Sequence, residues 1–158
     1  MNIKTSDAKT ILHEAAKSGK LDLIKKLFEE YRETVNVHAK DLNNETPAFV
    51  AVKNGQAEVF EAICRFIPPH SVANFLLQTN SYGQNLLHAA ASSNFPQAVK
   101  ILDKLFNEET PHQELLKKMI EMHDNSKSTS IQIANAKKHA SVVEEIEVLL
   151  TKLAVGEK

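Results

Sequence analysis

Apolar positions along the chain cluster in pairs at helical spacing, and each pair follows a polar, turn-prone stretch. The clearest case begins at residues 41–45, which are polar and suited to a turn. Thr46 can then cap a helix, and Pro47 suits its first turn, where a missing N–H costs no hydrogen bond. Ala48, Phe49, Ala51 and Val52 supply a short apolar helix, and Gly55 ends it by adopting a left-handed backbone without strain. Val59, Phe60, Ile63, Phe66 and Ile67 follow at the spacing of a second helix. The pattern predicts a turn, a short inner helix, a tight turn and a longer outer helix.

The same frame occurs four times. Thr10-Ile11-Leu12-His13, Thr46-Pro47-Ala48-Phe49, Asn85-Leu86-Leu87-His88 and Thr129-Ser130-Ile131-Gln132 align, at intervals of 36, 39 and 44 residues. Nine residues after each leading Thr or Asn stands a turn position: Gly19, Gly55, Asn94 and Lys138. Asparagine is the next-best residue there after glycine, and lysine is a weak substitute. The outer stripes are Leu21, Ile24, Leu27, Phe28 and Tyr31 in the first copy and Ala98, Ile101, Leu102, Leu105 and Phe106 in the third. The fourth is Val142, Val143, Ile146, Leu149, Leu150 and Leu153. Alanines in the inner helices permit close helix approach. No single unit can bury its own face, so the copies must stack, and the charged outer face of the last unit (Glu144, Glu145, Glu147, Lys152) suits a cap.

The residues 9–19, Lys9-Thr10-Ile11-Leu12-His13-Glu14-Ala15-Ala16-Lys17-Ser18-Gly19, resemble the ankyrin pattern G-x-T-P-L-H-x-A-A-x-x-G, and so do residues 84–94. Val35-Asn36-Val37-His38-Ala39-Lys40-Asp41 resembles the segment that leads into the ankyrin finger. The resemblance covers residues 5–153 and is weakest in the fourth copy, which lacks Pro, His and Gly. It implies an all-α solenoid of helix-turn-helix units joined by hairpin-like finger loops. One domain, 1–158, would hold repeats at 5–40, 41–79, 80–123 and 124–153, with a tail at 154–158. Against a family period of about 33 residues, the intervals carry inserts. Residues 68–77 and 111–122 read as extra short helices after the second and third outer helices. Val72, Phe75 and Leu76 would share the buried face of one, Leu115, Met119 and Met122 that of the other, both packed beside the outer helices.

Composition narrows the function. The 158 residues suit one domain, and 19 basic against 20 acidic residues give a net charge of −1, which speaks against a polyanion-binding protein. With no tryptophan and two tyrosines, base stacking finds little support, so no nucleic-acid partner is expected. No apolar run reaches the ~18 residues of a membrane span, and residues 1–20 lack a signal-peptide pattern, so a cytoplasmic protein is expected. The lone Cys64 excludes an internal disulfide and reads as a buried, inert thiol rather than a nucleophile with His70. Among seven histidines, His38, His70, His112, His123 and His139 have no ligand-spaced partner, so no metal is expected. Four glycines form no phosphate loop. No catalytic residue and no cofactor are assigned. His13 and His88 share one position, at which the resemblance implies a hydrogen bond to the neighbouring finger. Asn36 sits where ankyrin-family proteins are sometimes hydroxylated, and also where a polar turn residue bonds to the backbone.

The resemblance implies a non-catalytic protein-interaction module, an adaptor, regulator or effector, acting as a monomer. The alternatives are a bacterial effector acting on a host protein in the host cytosol, or the binding portion of a larger enzyme. A tetratricopeptide-like solenoid is disfavoured by the short inner helices. The family's recognition surface is concave, made of finger tips and the exposed side of the inner helices. Its variable positions fall here on Ser6, Asp7, Lys9, Lys17 and Ser18; on Leu42, Asn43, Glu45, Lys53 and Asn54; on Ser81, Tyr82, Gln84, Ser92 and Ser93; and on Asn125, Ser126, Ser128, Ala136 and Lys137. Tyr82 is the expected hot spot, because aromatic anchors dominate interface energies. Lys9, Lys17, Lys53 and Lys137 against Asp7 and Glu45 make the surface mildly basic, which suits a partner with an acidic segment.

Overall fold

The computed structural model describes residues 9–108 and 110–155. These form ten α-helices and no extended strand: α1 (Ile11–Ser18), α2 (Leu21–Glu30), α3 (Pro47–Lys53), α4 (Ala57–Phe66), α5 (Val72–Leu77), α6 (Leu86–Ser93), α7 (Pro96–Phe106), α8 (Thr110–Glu121), α9 (Ser130–Ala136) and α10 (Ala140–Val155). The inner helices α1, α3, α6 and α9 pack in succession, and the outer helices α2, α4, α7 and α10 pack in parallel order behind them. Each unit is therefore one inner and one outer helix, stacked as expected.

Local chemistry explains the helix ends. Thr10, Thr46 and Thr129 each accept a backbone N–H three residues on through the side-chain oxygen, and Asn85 accepts those of Leu87 and His88. The inner helices stop where the chain turns left-handed, at Gly19 and Gly55 (φ 68°) and at Asn94 (φ 54°). Lys138 keeps the same geometry at φ 60° despite its side chain, so the backbone frame holds where the residue preference fails.

The alanines Ala16, Ala48, Ala51, Ala90, Ala91 and Ala134 are wholly buried between inner helices, and Ile24, Phe60, Ile63, Leu102 and Ile146 fill the space behind them. Fully burying each such large side chain contributes roughly 1.5–3 kcal/mol. Tyr31, expected in the first apolar stripe, is 40% exposed at the end of α2. Phe66 is only half-buried, and its ring stacks on Phe28 with centroids 3.9 Å apart.

Both inserts are helical. A 3-10 turn (Pro69–Ser71) leads into α5, whose Val72, Phe75 and Leu76 are buried as expected. In α8 the buried residues are Leu116, Met119 and Ile120, while Leu115 and Met122 are half-buried. This shifts the face from the expected Leu115, Met119 and Met122. The reason is that α8 packs against three neighbours, α5, α7 and α10, which together choose among faces the sequence leaves equivalent. The principal helix partner of α5 is α8, so the two inserts also pack on each other.

Candidate protein-interaction surface

Three finger loops precede α3, α6 and α9, and all are built by one device. Asp41 Oδ1 accepts the N–H groups of Asn43 and Glu45, each at 2.9 Å. Asn80 Oδ1 accepts those of Tyr82 and Gln84 at 2.9 and 3.0 Å, and Asp124 Oδ1 those of Ser126 and Ser128 at 2.9 Å. The chain then turns left-handed at Asn44 (φ 57°), Gly83 (φ 72°) and Lys127 (φ 62°). Adjacent fingers are joined by Ser81 N–H to the Asn43 carbonyl and Asn125 N–H to the Tyr82 carbonyl, both 2.9 Å. The amide of Asn125 also donates to the Ser81 carbonyl, at 3.1 Å.

Histidines tie inner helices to the next finger. The Thr10 N–H donates to His13 Nδ1 (3.0 Å), so the proton sits on Nε2 and is donated to the Glu45 carbonyl at 2.9 Å. His88 repeats this, accepting from the Asn85 N–H at 3.1 Å and donating to the Ser128 carbonyl at 3.1 Å. Burial lowers the pKa of both rings, which keeps them neutral in this bonding pattern. At the turn end, Gln56 Nε2 donates to the Lys17 carbonyl at 3.3 Å and His139 Nδ1 to the Ala91 carbonyl at 2.7 Å.

Two clefts open side by side on the concave face. The first, about 230 Å³, lies between units one and two and is lined by Lys9, His13, Glu14, Lys17, Asn43 and Lys53 among others. The second, about 240 Å³, lies between units two and three and is lined by Phe49, Lys53, Tyr82, Gln84, Ala89 and Ser92 among others. Glu45 and Lys53 line both. Glu45 is 6% exposed, and its Oε1 accepts from Lys53 Nζ at 3.1 Å, so it holds the lysine on the ridge between the clefts. Tyr82 is 62% exposed and Leu42 69% exposed, the one at the rim of the second cleft and the other on the finger before it.

A family model for ankyrin repeats, in three copies, matches residues 12–110. This chain belongs to the ankyrin repeat family. Human transient receptor potential cation channel subfamily A member 1 is 29% identical to it over 99 residues, which are 63% of this chain and 8% of that protein. The chain therefore spans under a tenth of this relative's length. Ankyrin repeats are in general protein–protein interaction modules and typically non-catalytic. Among the described residues no helix is long and apolar enough to cross a membrane.

The ankyrin stack brings some candidate residues together and separates others. Lys9, Lys17, Asn43, Glu45, Lys53 and Asn54 meet around the first cleft, and Glu45, Lys53, Tyr82 and Gln84 around the second. Leu42, Ser81, Asn125 and Ser126 are exposed on the fingers, and Lys137 is exposed just past α9. Ser6 and Asp7 lie outside the described residues. Sequence reading missed Phe49 and Ala89 as cleft-lining residues, and it missed the finger-building set Asp41, Asn80 and Asp124. A signal for the latter existed: each is an Asp or Asn five residues before a helix cap. Asn36 Oδ1 accepts the His38 N–H at 2.9 Å, the bonding of a polar turn residue.

Cys64 is buried, and burial together with the nearby charge of Glu61 raises its thiol pKa well above the ordinary value. It stays protonated and unreactive. His70 is exposed on the 3-10 turn, so the two do not form a nucleophile and base.

Proposed function

We propose that this ankyrin repeat chain is a non-catalytic module that binds a protein partner through its concave face and finger loops, as a monomer. Tyr82 is the anchor of that surface, with Lys53 and Gln84 beside it. Leu42, Asn43, Ser81, Asn125 and Ser126 form the finger rim. Lys9, Lys17, Asn54 and Lys137 supply the polar and basic flank that suits an acidic partner segment, and Glu45 acts by holding Lys53. The observation that carries the reading is a large aromatic side chain, 62% exposed, standing over an apolar-lined cleft. Isolated finger tips do not need such a residue for folding, whereas interfaces are enriched in tyrosine.

A photo-crosslinking amino acid placed at position 82, with a matched one at Glu58 on the outer helix α4, tests this. Adducts to the same partner protein are expected from position 82 and not from position 58. Adducts from position 58 alone would reject the concave face. Tyr82→Ala should leave the melting temperature nearly unchanged while weakening partner capture; unfolding by that change would reject Tyr82 as a surface residue.

A further inference from the structure

The stack has three junctions between units, and the middle one is built differently. At the first junction His13 and Gln56 donate to carbonyls of the neighbouring unit, and at the third His88 and His139 do so. At the second junction the equivalent positions hold Phe49 and Phe95, which carry no donor. The carbonyl of Gln84, the counterpart of those of Glu45 and Ser128, is accordingly not reached from α3. Phe49 instead lines the apolar-walled cleft beneath Tyr82. An inter-unit hydrogen bond has been exchanged for an apolar receptor wall at the junction that also carries the exposed aromatic.

One junction away lies the polar first cleft. Its exposed charges are Lys17, Lys53 and Glu14, with Lys9 half-buried. Of its remaining acids, Asp41 is buried with Oδ1 accepting two backbone N–H groups, and Glu45 is turned to Lys53. Lys17 is exposed and makes no ion pair among the described residues. Lys17 and Lys53 are the exposed cations of the lining against one exposed acid, Glu14, and this favours a carboxylate at Lys17 over a cation. Each cleft is smaller than the ~300–1,000 Å³ of a small-molecule site, and the two follow one another across the row of inner helices.

We infer that the two clefts recognise one extended peptide segment of the partner, with an apolar or aromatic side chain in the Phe49–Tyr82 cleft and a carboxylate three residues away at Lys17. The spacing follows from packing: neighbouring helices sit about 8–10 Å apart, and a segment in the extended polyproline II form advances about 3.1 Å per residue with about three residues per turn, so side chains three apart share one face. The inference rests on the concave-face reading above and specifies the partner's chemistry.

The test is an array of synthetic 15-residue Gly/Ser peptides, each with one Phe or Leu and one Asp or Glu at separations of one to six, in both orders, probed with the full chain. Matched peptides replace the acid by Lys or omit the apolar residue. Binding is expected to peak at a separation of three, at least tenfold above the matched controls, and to weaken with added salt. Lys17→Glu and Tyr82→Ala should each abolish the peak with unchanged thermal melts. Phe49→His, which installs the residue of positions 13 and 88, should remove the preference for an apolar side chain. Equal binding of the lysine peptides, indifference to separation, a peak that survives Lys17→Glu, or no capture of any peptide overturns the inference. Binding that needs Tyr82 and an apolar residue but no acid overturns it while sparing the concave-face reading. Binding that survives both Tyr82→Ala and Lys17→Glu sinks both.

Discussion

The middle junction of the stack and the two that flank it share one backbone frame and differ in what crosses between units. The outer junctions are stitched at both ends by polar side chains, His13 with Gln56 and His88 with His139. The middle one has Phe49 and Phe95 there, and its ties come from elsewhere, among them Ser93 Oγ to the Val52 carbonyl at 3.3 Å and the finger bond from Ser81 to Asn43. The contrast teaches that the repeat frame tolerates loss of its polar stitching where apolar packing and finger bonds persist. That tolerance frees one junction to carry a receptor cleft. Conserving the frame and varying the stitching are separate decisions on the same scaffold.

The largest effect is expected from removing a stitch at an outer junction. His88 is fully buried and bonds to Asn85 and Ser128, so His88→Ala should cost about 3 kcal/mol, because it empties a buried site and leaves the Asn85 N–H without its acceptor. Urea denaturation measures it. The two glycine turns then separate the first junction from the second. A Cβ at Gly19 would lie 2.3 Å from Gln56 Oε1, whereas one at Gly55 meets nothing within 4 Å. Both residues are left-handed, so Gly55→Ala should cost about 1 kcal/mol. Gly19→Ala should cost roughly 2 kcal/mol, because it also displaces the Gln56 bond, and paired denaturation curves compare them.

Protonation should distinguish the junctions as well. Burial depresses the pKa of His13 and His88 below 6.5 in the folded chain. The unfolded chain then binds protons that the folded one refuses. The stability from the neutral rings is fully present above pH 6.5 and lost as pH falls through the folded values. Denaturation midpoints should fall on acidification, and His88→Gln, which borrows the residue at position 132, should flatten that slope. A slope unchanged by the substitution would remove His88 from the account.

Smaller effects are expected where the frame is merely strained or rebalanced. Lys138→Gly should raise stability by about 1 kcal/mol, since Lys138 holds φ 60° with a side chain, and a higher melting temperature would show it. Phe49→His should change stability by less than about 1 kcal/mol, because lost ring burial offsets a regained bond to Gln84. Calorimetry would detect a larger drop, which would mean that the middle junction cannot accept polar stitching.

Much of this was legible in the chain. The cap residues Thr10, Thr46, Asn85 and Thr129 and the turn positions nine residues later act locally, so their roles do not depend on distant neighbours. The same holds for the face of α5, where Val72, Phe75 and Leu76 stand three and four residues apart and so share one side of the helix. The face of α8 was less legible, because Leu115, Leu116, Met119, Ile120 and Met122 offer overlapping apolar stripes. The depth of Glu45 was hidden as well: a glutamate in a finger reads as exposed until Lys53 is seen above it, eight residues away on the inner helix.

The four-fold frame, the helix boundaries, the turn geometry and the need to stack are written in the chain alone, because each is a short-range consequence of capping, glycine freedom and apolar spacing. Which face of α8 is buried, that the two inserts pack on each other, and that Phe49, Tyr82 and Lys53 meet across a junction emerge only when the units pack. Those outcomes depend on groups brought together from separate units, and no local spacing along the chain encodes such distances.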